Sequence, residues 1–215
     1  VGQFGTVVGY ETYEYDSNAF FQRGLAFNEE PTHHTGVLAS YQVSDSLNVH
    51  VGAVNNSANN ITNDETGAGG GNTWLAAVDY TVGDSVGVLG GTSIYGATIQ
   101  DSNEADYWYL QVGLPIPVEG LSLDVAADWV DADNGNDDEI YQVYAAYTLS
   151  DKATLNARYE FGTADSGGLT DLESVAVGVT YDLWDNVISR VEWQSTSEEG
   201  SADDDTLAVN LVYSF

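Results

Sequence analysis

The sequence predicts an all-β protein, a transmembrane antiparallel up-and-down barrel of up to 12 strands. Three observations point there. Apolar and polar residues alternate with period two along most of the chain, the period of a strand with one apolar face. The connections alternate between short and long, as in a meander with tight turns at one end and loops at the other. Aromatic residues collect near both ends of the apolar faces, where a bilayer places its two interfaces.

The elements follow in order. A first strand starts near Val1 and ends near Tyr10. The long segment 11–34 comes next, within a single domain spanning 1–215. Val37, Ala39, Tyr41 and Val43 then share one face. So do Trp74, Ala76, Val78, Tyr80 and Val82, and later Leu121, Leu123, Val125, Ala127 and Trp129. The same spacing recurs in Tyr141–Leu149, in Leu155–Phe161 and in Val175–Leu183. Short turns are expected at 44–46, 83–85, 118–120, 150–152 and 184–186. Long connections are expected at 11–34, 56–72, 100–106, 131–138, 164–171 and 196–205. Strands of about 9–11 residues are long enough to cross a bilayer at barrel tilt.

A weak repeat supports the register. Tyr-x-[Val/Leu]-x-Asp occurs at 41–45, 80–84, 147–151 and 181–185, each time before a short turn. Tyr41, Tyr80, Tyr147 and Tyr181 therefore form one expected membrane girdle. Trp74, Trp108, Trp129 and Trp193 form the other, and Tyr213 and Phe215 extend the apolar face of the last strand.

Composition narrows the function. The chain has 215 residues, 34 acidic side chains and four basic ones, for a formal charge of −30. Nucleic-acid binding needs clustered Lys and Arg, so it is excluded. With 43% hydrophobic residues and 12% aromatic ones, the chain is not the disordered type that high charge alone suggests. There is no Cys, hence no disulfide or thiol chemistry, and no Met, so the sequence is a processed chain or an internal piece. No run of apolar residues is long enough for a spanning helix. No cofactor or metal is expected: residues 131–136 are similar to a calcium loop, but Gly135 stands where a ligand belongs and Gln142 replaces the closing Glu.

Charge placement follows from the cost of a charge facing lipid, roughly 2–4 kcal/mol for Lys or Arg at the midplane. Asp79, Asp124, Asp128, Arg158, Glu160, Arg190 and Glu192 all alternate onto the face opposite the apolar one. With Arg23 of the long segment they are the candidate lumen and selectivity residues. Segment 11–34 also carries Tyr13, Tyr15, Phe20 and Phe21; folded inward it makes a constriction, and its alternative is an external loop.

The end of the chain alternates Leu207, Val209, Leu211, Tyr213 and Phe215 on one face. It resembles the C-terminal signal of bacterial outer-membrane proteins, which the barrel assembly machinery reads. The first fifth of the chain carries Gly2-Gln-Phe-Gly-Thr6, Gly9-Tyr-Glu11, Phe27-Asn28 and the run from Glu30 to Tyr41. These segments resemble the beta-barrel porin-2 (OmpL-like) family. Members of that family usually have further strands upstream, so the chain is expected either to close with 12 strands or to be the C-terminal part of a larger barrel. The resemblance implies an outer-membrane location, contact with lipid and lipopolysaccharide, and passive diffusion of small hydrophilic solutes. It leaves a homo-trimer open, and the acidic excess adds a cation preference. Two other classes compete. A soluble or surface-layer acidic β protein also alternates, but has no need of two aromatic belts. A barrel enzyme needs a nucleophile–base set, and the three histidines, His33, His34 and His50, have no evident serine partner.

Overall fold

The computed structural model spans Val1 to Phe215 and describes residues 1–56, 73–102, 105–131, 137–165 and 169–214. Twelve strands form one sheet in which each strand pairs only with its sequence neighbours. They are β1 (Gly2–Gly5), β2 (His33–Ser44), β3 (Leu47–Val54), β4 (Thr73–Thr81), β5 (Ser93–Gln100) and β6 (Asp106–Leu114). Then follow β7 (Leu121–Asp131), β8 (Asp137–Ser150), β9 (Ala153–Asp165), β10 (Leu169–Trp184), β11 (Val187–Glu198) and β12 (Asp204–Tyr213). All pairs are antiparallel. Among the described residues no ladder joins β12 to β1, so these two strands are the sheet's edges. No described helix is long and apolar enough to cross a membrane.

The Tyr-x-[Val/Leu]-x-Asp repeat has a structural meaning. In the hairpins β2–β3, β8–β9 and β10–β11 the register shifts between Gln42 and Ser44, Thr148 and Ser150, and Asp182 and Trp184. The skipped residue is Val43, Leu149 or Leu183, the aliphatic position of the motif. Each copy thus encodes a bulge followed by a two-residue turn, and a bulge adds local twist where the strand must reverse. In the last of these turns Asn186 takes a left-handed φ of 63°, a conformation that Asn tolerates.

The copy at 80–84 departs from the pattern, and the expected short turn at 83–85 is wrong. Here Gly83 occupies the position held by Ser44, Ser150 and Trp184. β4 stops at Thr81, Val82 still pairs through backbone hydrogen bonds with Thr92 and Gly91, and the chain then passes through a 3-10 segment, Asp84–Leu89, before β5. The first strand is also shorter than expected: it ends at Gly5, because Val7 and Val8 leave the sheet and are buried. The connections at 131–138 and 164–171 narrow because β7–β10 extend into them. β10 alone has 16 residues, more than the roughly 9–11 a crossing needs.

The two faces differ sharply. Val37, Val51, Val78, Val177, Val191 and Val209 are exposed on the outer face. Their inward neighbours Ala77, Ala176, Arg190 and Glu192 are buried. An aromatic cluster, Trp129, Tyr141, Phe161 and Tyr159, packs along the outer face of β7–β9. Exposed Tyr41, Trp74, Tyr80, Trp108, Tyr147, Tyr181, Trp193 and Tyr213 share that side, and Trp129 is half-buried. Phe215 lies outside the described residues, as do residues 132–136 of the loop similar to a calcium site. Glu139 and Glu173 also project outward, opposite Trp129 and Phe161 of this cluster, and accept from Tyr141 Oη and Tyr159 Oη.

Candidate functional site

The segment between β1 and β2, residues 6–32, packs on the inner face of the sheet. It touches β5, β7, β9, β10 and β11 in turn, so the sheet must curl around it. Two different inner walls receive it.

The first wall is apolar. Val7 and Val8 join Leu75, Ala77, Ala97, Ile99, Tyr109 and Ala126 in one buried cluster. Burial of such side chains stabilises by about 1.5–3 kcal/mol each, which anchors the segment's start on β4–β7. Tyr95 Oη donates to the Val7 carbonyl at 2.6 Å, satisfying a backbone group that has left the ladder. Tyr10 stacks on Tyr144 with ring centroids 3.7 Å apart, and its hydroxyl donates to Asp124 at 3.3 Å. Burial, then the charge of Asp124, pushes the Tyr10 phenol well above its ordinary range.

The second wall is charged. Arg158 on β9 donates from Nη1 to Glu11 at 2.6 Å, while its Nε lies 3.0 Å from Glu160. Its Nη2 donates to Gln194 on β11 at 2.8 Å, and the guanidinium sits 5.1 Å over the Phe20 ring. Each wall carboxylate then accepts successive backbone N–H groups. Glu192 takes Phe21 N at 2.7 Å and Gln22 N at 2.6 Å; Glu160 takes Leu25 N at 3.0 Å and Ala26 N at 3.4 Å. Gly24 is required where the chain meets Glu160, since a Cβ there would collide with that carboxylate. Its N–H goes to Glu11 at 2.7 Å. Arg190 donates from Nη2 to the carbonyls of Tyr15 and Asn18, at 2.8 and 2.7 Å.

Asn18 braces the segment internally. Its carboxamide accepts from Thr12 N at 2.8 Å and donates to the carbonyls of Thr12 and Glu14 at 2.8 and 2.6 Å. Arg23 donates to the Tyr13 carbonyl at 3.0 Å and stacks over Tyr15 and Phe27. A short helix, α1 (Leu25–Glu29), closes the segment. It ends at Glu30, which is buried against Gly9 and lies beside Asp128 of β7. Burial and that neighbouring carboxyl hold Glu30 well above the usual carboxylate range. Glu29 shifts the same way, through burial and Asp138.

The lumen candidates therefore fall into two groups. Arg158, Glu160, Arg190, Glu192 and Asp128 are all 5% exposed or less, covered by the inner segment. Asp79, Asp124 and Arg23 keep partial exposure. Sequence reasoning missed Val7, Val8, Glu11, Asn18 and Glu30 as partners of this wall. The available signal was the Val7-Val8-Gly9 run, which breaks the alternation of a strand. His50 bonds Ser40 at 2.8 Å, and His34 lies 3.2 Å from Thr6; among the described residues no carboxylate is bonded to either imidazole. Among the described residues no three His, Asp or Glu side chains are grouped as metal ligands.

Comparison with known proteins follows this geometry. Residues 1–215 match the profile of the family described as putative beta-barrel porin-2, OmpL-like. No curated protein matches the sequence. Among solved structures, OmpT of Vibrio cholerae, an outer-membrane protein, aligns with a TM-score of 0.65 at 20% identity. That alignment covers 92% of this chain and 65% of OmpT. The outer membrane channel DcaP of Acinetobacter baumannii aligns with a TM-score of 0.64 at 14% identity, over 100% of this chain and 70% of DcaP. OccK3 of Pseudomonas aeruginosa aligns with a TM-score of 0.53 at 11% identity, over 85% of this chain and 70% of its own. At these identities the likeness is one of fold.

Proposed function

This chain belongs to the putative beta-barrel porin-2, OmpL-like family, and on that premise we propose that it builds the wall and constriction of a diffusion channel for small hydrophilic solutes, preferring cations. The family is one of outer-membrane porins, which places the protein in the outer membrane of a Gram-negative bacterium and among channels rather than enzymes. The observation that carries the reading is the inner segment, which runs from the apolar wall at β4–β7 to the charged wall at β8–β11. A segment so placed narrows the passage, and narrowing is what sorts solutes by size and charge.

The cation preference rests on which charges remain free. Arg158 is taken up by two carboxylates, and Arg190 donates to two segment carbonyls. Of the partly exposed inner charges, Asp79 and Asp124 outnumber Arg23, which lies over Tyr15 and Phe27, and they set a negative field within a chain of charge −30. In this reading the outer face meets lipid and lipopolysaccharide, and β12 is the strand that the barrel assembly machinery engages. The test is the reversal potential across a planar bilayer in a KCl gradient. Cation selectivity is expected, reduced in Asp79→Asn/Asp124→Asn; anion selectivity, or no conductance at all, would sink the proposal.

A further inference from the structure

A small cavity lies where the inner segment crosses β7, β8 and β9. Across these strands Ser122, Ala146 and Asn156 stand opposite one another in register, and Asp124 and Tyr144 begin the next inward row. Ala146 carries only a methyl group, so the wall is hollow at that point. Tyr10 and Phe20 of the segment roof the hollow, leaving a volume of about 30 Å³. That is room for one or two water-sized groups. Ser122 is exposed and Asp124 partly so, which opens the cavity toward the short-turn side of the interior.

The lining combines oxygen acceptors with aromatic walls. Asp124 accepts from Tyr10 Oη at 3.3 Å and from Gln111 Nε2 at 3.5 Å. A carboxylate has about four lone-pair sites, so it has capacity for further donors. Asn156 is 4% exposed and its Nδ2 donates to Thr180 at 3.0 Å; among the described residues no donor reaches its Oδ1. A buried amide oxygen of this kind calls for a donor. The Ser122 hydroxyl adds a further acceptor. The walls are the stacked Tyr10–Tyr144 pair, with centroids 3.7 Å apart, and Phe20. Ring faces attract cations, and the Arg158 guanidinium already lies over Phe20 at 5.1 Å. That guanidinium does not repel a second cation as a free charge would, because it is bonded to Glu11 and Glu160.

We propose that this cavity is a subsite for a primary alkylammonium group, the cationic head of a solute in the passage. An ammonium head is about the size of a water molecule and carries three donors, which meet Asp124, Asn156 Oδ1 and the Ser122 hydroxyl. Its alkyl stem lies along the rings of Tyr10, Tyr144 and Phe20. A quaternary ammonium has no N–H to donate and is too large for the hollow. An anion is repelled by Asp124. A bare divalent ion is poorly served, since it takes roughly six or more oxygen ligands and these walls are largely aromatic. The subsite deepens the cation preference proposed above. Only the solute's route depends on that reading; the binding does not.

The test is calorimetric titration of n-butylammonium chloride into the refolded chain in detergent, at constant ionic strength. Saturable one-to-one binding is expected, with none for tetramethylammonium. Asp124→Asn removes a charge-assisted contact and should weaken binding by about tenfold or more. Ala146→Val fills the hollow with two added methyl groups and should abolish binding without touching a charge. If Ala146→Val does not refold, Ser122→Ala replaces it, with a loss of about fivefold expected. No saturable binding, equal binding of tetramethylammonium, or binding unchanged in these variants overturns the subsite. Displacement by potassium at matching concentration also overturns it, since the cavity then takes bare cations. Planar-bilayer conductance separates the two ideas. Binding by a chain that conducts nothing supports the subsite and refutes the channel, while cation-selective conductance with no binding overturns the subsite alone.

Discussion

Arg158 shows how one residue couples wall and segment. It is fully buried between Glu11 and Glu160, with Gln194 also bonded. Four partners share the guanidinium, the Gln22 carbonyl being the fourth at 3.2 Å, which helps repay its desolvation, and removing one member of such a group leaves the others uncompensated. Arg158→Leu is therefore expected to cost about 3–5 kcal/mol. Urea unfolding of the refolded chain in detergent measures it. The alternation pattern located Arg158 and Glu160 on the inner face, because period two is a local property of the backbone. It carried no information on Glu11, whose partner is 147 residues away.

The inner segment is the element on which function turns, and it has almost no regular structure. It includes a 3-10 turn, Tyr15–Ser17, and the five-residue helix α1. What holds it is docking: Val7 and Val8 at one end, the backbone N–H groups on Glu160 and Glu192 in the middle, and Glu30 at the other end. Replacing residues 12–29 by a Gly/Ser stretch of equal length removes the middle contacts and leaves the strands intact. The expected outcome is a several-fold larger single-channel conductance with the sheet signal in circular dichroism unchanged. Sequence reasoning could identify 11–34 as long and aromatic, but not decide between inside and outside. That choice depends on partners spread over β5, β7, β9, β10 and β11, which no local pattern encodes.

At the scale of the whole molecule, the outer face sets the environment. Val179 is 37% exposed on β10, flanked by Leu155 of β9 and Val191 of β11, midway between the girdle levels of Trp193 and Tyr181. Val179→Arg puts a charge on the lipid side near the middle of the apolar band, with an expected loss of roughly 2–4 kcal/mol. Reduced folding yield into liposomes, and a lower temperature for the SDS mobility shift, are the readouts. The same Arg at an inward position of β10, such as Thr180, should leave liposome folding far less affected.

Sheet order, strand count and the choice of lipid face were written in the sequence, because each follows from alternation and turn chemistry over a few residues. Even the bulged hairpins were present there as the Tyr-x-[Val/Leu]-x-Asp repeat. At 80–84 the same motif, with Gly83 at its fourth position, leads instead into a longer connection with a 3-10 segment. The tertiary structure alone decided that the inner face is half apolar and half charged, and that four of its charged residues, Arg158, Glu160, Arg190 and Glu192, hold a segment rather than face open water. The reason is that burial inside a curled sheet depends on what crosses it, and that contact joins residues more than a hundred positions apart.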